Sequence, residues 1–196
     1  MEPLFTKAKD LDVHLHSQLF KIDECNIILQ QLIDEVNWTQ DEVVVFNKTH
    51  KIPRLNAWYG DAGMKYKWSG NLMTPLPWTN LLLKIKHKVE LVSEYNYNSV
   101  LLNYYRNGND GMGYHADDEK ELGENPTIAS LSFGQERPFH FKHKYNKVLP
   151  TQKTLLQNGS LLIMKGTTQK FWKHALPKTK KPLAPRVNLT FRKIIN

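Results

Sequence analysis

Apolar residues recur with two different periods along this chain, and the change falls near its middle. Between residues 24 and 37, Cys25, Ile28, Leu29, Leu32, Ile33 and Val36 keep the three-and-four spacing of one helix face. That predicts an amphipathic helix capped by Asp23. Trp78, Leu81, Leu82, Ile85, Val89 and Val92 predict a second helix near residues 77–95, behind Pro75 and Pro77. Residues 1–20 read as an arm with strand tendencies, and residues 42–46 as a short β-branched run. Residues 53–73 carry turn signals at Pro53, Gly60-Asp61, Gly63 and Ser69-Gly70. Beyond them the period is two. Strands are predicted at 99–105, 113–117, 127–133, 138–143, 153–157, 160–165, 171–175 and 186–193. Two helices before a run of short strands predict an α+β domain with a β-sandwich or jelly roll.

The last strand carries the strongest chemical signal. In Arg186-Val187-Asn188-Leu189-Thr190-Phe191-Arg192 every second residue is polar. Side chains alternate faces along a strand, so one face is apolar and the other bears two arginines. Guanidinium groups bind carboxylate or phosphate bidentately, which points to an anion. A solvated edge strand would show the same alternation.

His115 and Asp117 are two residues apart, a spacing that puts both on one face of a strand. His174 sits on a later predicted strand and offers a third donor. Two histidines and one carboxylate form the facial triad of non-haem Fe(II) oxygenases. Three protein ligands leave room for a bidentate 2-oxo acid and O2. Zn²⁺ accepts the same donors, and Asp117-Asp118-Glu119 alone would suit a solvated loop.

Charge adds a partner class. The 196 residues carry 27 Lys and Arg against 19 Asp and Glu, a net +8. That balance favours a polyanion such as nucleic acid. Cys25 is the only cysteine, which excludes an internal disulfide and suits a reducing compartment. No apolar run nears the ~20 residues of a membrane span, and no signal peptide is evident. One intracellular domain is expected.

Several motifs occur together and in order: Asn103-Tyr104-Tyr105, His115-x-Asp117-Asp118-Glu119, Ser130-Leu131-Ser132-Phe133-Gly134, His174 and the Arg186–Arg192 run. In this combination the chain resembles the AlkB family of Fe(II)- and 2-oxoglutarate-dependent nucleic-acid dealkylases. Phe46-Asn47-Lys48, Pro53-Arg54, Tyr59-Gly60-Asp61-Ala62-Gly63 and Tyr66-Lys67-Trp68-Ser69-Gly70 look most like the branch of the human AlkB homologues 2 and 3. The likeness runs from about residue 40 to the end.

The resemblance implies an α+β fold: a double-stranded β-helix (jelly roll) core with N-terminal helices packed on one sheet. It divides one domain, 1–196, into an arm and helix (1–40), a nucleotide-recognition lid (41–73) and the jelly-roll core (98–196). It implies Fe(II) on His115, Asp117 and His174, the catalytic centre. It implies 2-oxoglutarate against Asn103, Tyr105, Arg186, Asn188, Thr190 and Arg192. Arg186 would meet the distal carboxylate, Arg192 with Asn103 the iron-proximal end, and Tyr105 would donate its hydroxyl.

For the substrate, the resemblance implies an everted base clamped by Trp68 with Tyr66 and Lys67 nearby, its exocyclic amine facing Asp118. Phe46 would wedge into the duplex, with Asn47 and Lys48 at the backbone and Arg54 steadying the opposite strand or the wedge. This chain departs from the branch at two places: Trp68 stands where phenylalanine is expected, and Asn47 where glycine is. The implied activity is oxidative dealkylation of 1-methyladenine and 3-methylcytosine in DNA, with the duplex form preferred over single strands, using O2 and releasing formaldehyde, succinate and CO2. RNA demethylation and a non-catalytic nucleic-acid-binding module are the alternatives. The expected partner is alkylated DNA (RNA in the alternative), with no membrane; the expected state is a monomer in the nucleus or bacterial cytoplasm.

Overall fold

A computed structural model gives the three-dimensional structure. It describes residues 4, 5, 8–45, 47–64, 66–68 and 71–195; the side chains of residues 45, 66–68 and 71–73 lie outside the described set. The elements in order are β1 (Asp12–His16), α1 (Ile22–Glu35), β2 (Glu42–Val45), β3 (Lys48–Lys51), β4 (Leu55–Gly60), β5 (Tyr66–Trp68), β6 (Asn71–Met73), β7 (Leu76–Pro77) and α2 (Asn80–Ser93). Then follow β8 (Ser99–Tyr105), β9 (Met112–His115), β10 (Ile128–Gly134), β11 (Arg137–His143), β12 (Gln152–Leu156), β13 (Leu161–Lys165), the single turn α3 (Thr168–Phe171), β14 (Trp172–Leu176) and β15 (Arg186–Arg192).

Two sheets face one another. The large one runs β1-β13-β10-β15-β8-β4-β7 and the small one β12-β11-β14-β9. The helices cover the outer face of the large sheet, where Ile28, Leu32, Ile85 and Val89 pack with Val187, Leu189 and Phe191. A second apolar layer, including Phe141, Leu162 and Trp172, fills the space between the sheets. Strands buried on both faces read as unbroken apolar runs, and Leu161-Leu162-Ile163-Met164 divides alternately between the two layers. This is the expected α+β jelly roll with helices on one sheet.

The structure departs from the sequence-based expectation in several places. Lys21, not Asp23, caps α1: its N–H donates to the Glu24 carboxylate at 3.0 Å, and Asp23 lies in the first turn, where its charge suits the helix dipole. The second helix is shorter than 77–95, because Thr79 caps it by accepting the Leu82 N–H at 3.2 Å. Residues 55–60, inside the stretch of turn signals, form β4, hydrogen-bonded to β8 along its whole length. Leu55-Asn56-Ala57-Trp58-Tyr59-Gly60 has no β-branched residue, so pairing with β8 decides its state rather than propensity. Finally, β9 ends at His115, so Asp117 lies beyond the strand rather than on its face.

β15 is no solvated edge. It sits between β10 and β8 in the centre of the large sheet, and all seven of its residues are buried. No helix among the described residues is long and apolar enough to cross a membrane.

Candidate active site

The inner face of the large sheet carries a polar grid inside an otherwise apolar space. Register puts Asn103 opposite Asn188, Tyr105 opposite Arg186, and Ser99 opposite Arg192. On the other flank Ser130 faces Thr190 and Ser132 faces Asn188. The small sheet closes over this grid. There His174 on β14 is the cross-strand neighbour of His115 on β9. Apart from Ser99 and Ser132, these residues together line a cleft of about 420 Å³.

At one end, His115, Asp117 and His174 each present a ligand atom within 4.8 Å of the others. His115 Nδ1 lies 2.9 Å from the Gly113 carbonyl, which can only accept. Nδ1 therefore carries the proton and Nε2 is left as the ligand atom. His174 stacks on Phe139 with ring centroids 5.4 Å apart. Burial, with His115 beside it, pushes its pKa down to about 3, so the ring is neutral and able to ligate. Asp117 is also buried. Burial alone would raise its pKa, but the charge and hydrogen bond of Arg192 outweigh it and hold the carboxyl below its usual range. Arg192 Nη2 donates to Asp117 Oδ1 at 2.5 Å. An anionic oxygen, the neutral His174 ring and the Nε2 of His115 in this arrangement fit Fe(II).

At the other end stands Arg186, 2% exposed. Its Nη2 donates to Ser132 Oγ at 2.9 Å and its guanidinium lies 5.2 Å from the Tyr105 ring centroid. Its Nε is buried with no hydrogen-bond partner among the described residues. Burial lowers its pKa to about 10, which still leaves it charged at neutral pH. A buried cation with donor capacity to spare is what the far carboxylate of a dicarboxylic acid needs. The residues present thus fit both groups: a cation at the triad and 2-oxoglutarate between it and Arg186.

Other expected residues fall differently. Asn188 donates through Nδ2 to Ser130 Oγ (2.8 Å) and the Leu131 carbonyl (2.9 Å), and accepts from Thr190 at 3.0 Å. The pair lines the cleft while bracing the sheet. Arg54, expected at the opposite strand or the wedge, is instead only 7% exposed and donates through Nε to Asn103 Oδ1 at 2.7 Å. It reaches that site because β4 is a sheet strand rather than a loop. Asp118 is largely exposed and paired with Lys144 at 2.7 Å. Asn47 adopts a left-handed φ of 59° at the exposed turn between β2 and β3, with Lys48 exposed beside it. The Phe46 expectation lies outside the described residues. Tyr66, Lys67 and Trp68 form β5, paired with β6, and their side-chain expectations lie outside the described set as well.

Ser130 and Ser132 were given no role by sequence reasoning, although polar residues at alternate positions of an apolar strand are the signal that marks them. A second cleft, about 610 Å³, opens beside Arg192 and is lined by Asp41, Arg54, Asn56 and Trp58. It lacks the triad, so the chemistry belongs to the smaller one.

Comparison with known proteins agrees with this geometry. Residues 12–192 match the family model described as 2OG-Fe(II) oxygenase superfamily. The chain is 44% identical over 186 residues to DNA oxidative demethylase ALKBH2 of Bos taurus, covering 90% of this chain and 67% of that protein. It is 43% identical to human DNA oxidative demethylase ALKBH2, covering 96% and 76%. Human alpha-ketoglutarate-dependent dioxygenase alkB homolog 3 is 40% identical, covering 93% and 66%. The solved structure of OsALKBH1 superposes with a TM-score of 0.64 at 17% identity, over 92% of this chain and 97% of that one, a likeness of fold.

Proposed function

Because this chain belongs to the AlkB family within the 2OG-Fe(II) oxygenase superfamily, we propose that it repairs N-alkylated bases in DNA, 1-methyladenine and 3-methylcytosine among them, by oxidative dealkylation. The observation that carries this is the set of half-buried His115 and buried Asp117 and His174, lying in one cleft with the buried Arg186. Fe(II) and 2-oxoglutarate, when bound, would supply with O2 the oxidation of the alkyl carbon: one oxygen atom goes into succinate as CO2 leaves, and the other leaves in formaldehyde. The chain's own residues do the placing. His115, Asp117 and His174 would hold the metal, and Arg192 keeps Asp117 ionised. Arg186 would neutralise the far carboxylate, with Tyr105 and Asn103 along the same wall.

On the substrate side, the β2–β3 hairpin would enter the duplex through Phe46, with Asn47 and Lys48 at the backbone. Trp68, Tyr66 and Lys67 would hold the everted base and Asp118 its exocyclic amine. In this reading residues 41–73 act as a recognition lid on the 98–196 core, behind the 1–40 arm, and the protein works as an intracellular monomer. Two observations support a polynucleotide: the net charge of +8, and the exposed lysines Lys142 and Lys173, opposite each other on β11 and β14. Like charges directly opposed on a sheet are unfavourable until an anion lies across them.

The test uses matched single- and double-stranded oligonucleotides carrying 1-methyladenine, with iron, ascorbate and 2-oxoglutarate, followed by mass. The expected result is loss of 14 Da, about one methylene, from the DNA duplex, with formaldehyde released and Asp117→Ala inactive. Turnover on RNA alone would move the substrate, and full activity in Asp117→Ala would remove the metal assignment.

A further inference from the structure

Asp117 poses a structural problem. It lies two residues past the end of β9 and is buried, so its backbone N–H has no strand ladder to join. A buried N–H without a partner is costly and leaves the chain around it free to shift. Here the partner comes from a side chain 52 residues away: the Asp117 N–H donates to Gln169 Oε1 at 3.0 Å.

Gln169 is built for that contact. It is 1% exposed, on α3, five residues before the ligand His174. Its Nε2 points to Met164 Sδ at 3.4 Å, so the amide presents nitrogen to sulfur and oxygen to the N–H. Its own carbonyl accepts from Lys144 Nζ at 2.6 Å, and the same Lys144 holds Asp118. The turn it sits on is fixed from outside the site: Thr168 Oγ1 accepts from the Asp12 N–H at 2.9 Å and donates to the Asp12 carbonyl at 3.1 Å. Arg192 steers the Asp117 carboxylate, while Gln169 sets the main chain from which that carboxylate hangs.

We propose that Gln169 is a positioning residue for the metal centre: it replaces the missing strand partner of Asp117 and ties that ligand to the segment bearing His174. Gln169 touches neither metal nor 2-oxoglutarate; it acts through Asp117. The inference rests on the reading of His115, Asp117 and His174 as metal ligands. Partners at this remove typically change metal affinity by about 10–100-fold when lost.

The experiment titrates Co(II), as a probe for the metal site, into metal-free full-length protein and follows its visible absorption. Gln169→Leu keeps the volume and removes the acceptor; Gln169→Glu keeps the acceptor. The expected result is Co(II) binding weakened about tenfold or more in Gln169→Leu, with an altered spectrum, and largely restored in Gln169→Glu. Wild-type affinity and spectrum in Gln169→Leu would overturn the proposal. A second measurement needs no variant: in the metal-free wild type the Asp117 amide is expected to exchange slowly with deuterium, and exchange at the rate of an open chain would overturn it too. Wild-type protein that fails to bind Co(II) while its Asp117 amide stays protected would instead remove the metal-centre reading, and this inference with it.

Discussion

Arg186 is a buried cation with an unused donor, and that makes it the residue whose replacement separates the co-substrate from the metal. Arg186→Met is expected to raise the KM for 2-oxoglutarate about 10–100-fold, the worth of a charge-assisted contact, and to leave Co(II) binding unchanged. Its melting temperature is expected to hold or rise, because a desolvated charge is removed from the sheet. Initial rates against 2-oxoglutarate concentration, with a thermal melt, check both. His174 gives a pH effect on the metal-free protein. Its folded pKa, pushed down to about 3 by burial, lies below the unfolded value of about 6.5. Between those values the unfolded chain binds a proton that the folded one refuses. Stability therefore falls as pH drops from about 6.5 towards 3. Urea midpoints at pH 7 and 5.5 are expected to fall more in wild type than in His174→Gln; equal slopes would show that the ring titrates normally. At this scale the triad and the arginines were legible because their types are rare on buried faces. Arg54 was not legible, because its partner Asn103 is 49 residues away and only the β4–β8 register brings them together. Gln169 was missed for the same reason: nothing in Thr167-Thr168-Gln169-Lys170 points back to Asp117.

Among the elements, the strands from residue 99 onward were the most legible, and β8 runs from Ser99 to Tyr105 as predicted. Alternation or a continuous apolar run marks most of them, since they are buried on one or both faces; β9, with no buried residue, is the exception. β4 escaped because its burial comes from neighbours and its sequence is bracketed by Pro53 and Gly60. The cap of α1 was misread because Asp23 is a better cap by type than Lys21, yet Glu24 reaching back to the Lys21 N–H fixed the helix start two residues earlier. The β2–β3 hairpin carries an expectation of its own. Its strands pair Val43 with His50 and Val45 with Lys48, so the tip is two residues long, and Asn47 supplies the left-handed angle that glycine would otherwise take. Shortening residues 45–48 to Gly-Gly is expected to lower repair of duplex DNA about tenfold or more and to spare single strands, measured on the paired oligonucleotides. Equal loss on both would assign the hairpin a structural role.

Over the whole molecule, the charge and the fold divide the work. The outer face of the small sheet gathers Lys142, Lys153 and Lys173, whereas Lys144, on the same strand pair's margin, is turned inward to Asp118 and Gln169. Sequence alone does not separate Lys144 from its neighbour Lys142; only the contacts do. Replacing Lys142 and Lys173 by Gln is expected to weaken binding to DNA of any sequence and to flatten the slope of log K against log salt by about 2 for a duplex, read by fluorescence anisotropy. An unchanged slope would move the nucleic acid to another face. The central position of β15 has a consequence for how such a protein can vary. Its odd residues hold the helices and its even ones line the cleft, so a single inserted codon would slide both sets to the wrong side at once. Change in this strand is confined to exchange of one side chain for another. If the proposed recognition role of the β2–β3 hairpin holds, new lesion preferences can arise there without any change of register in this strand.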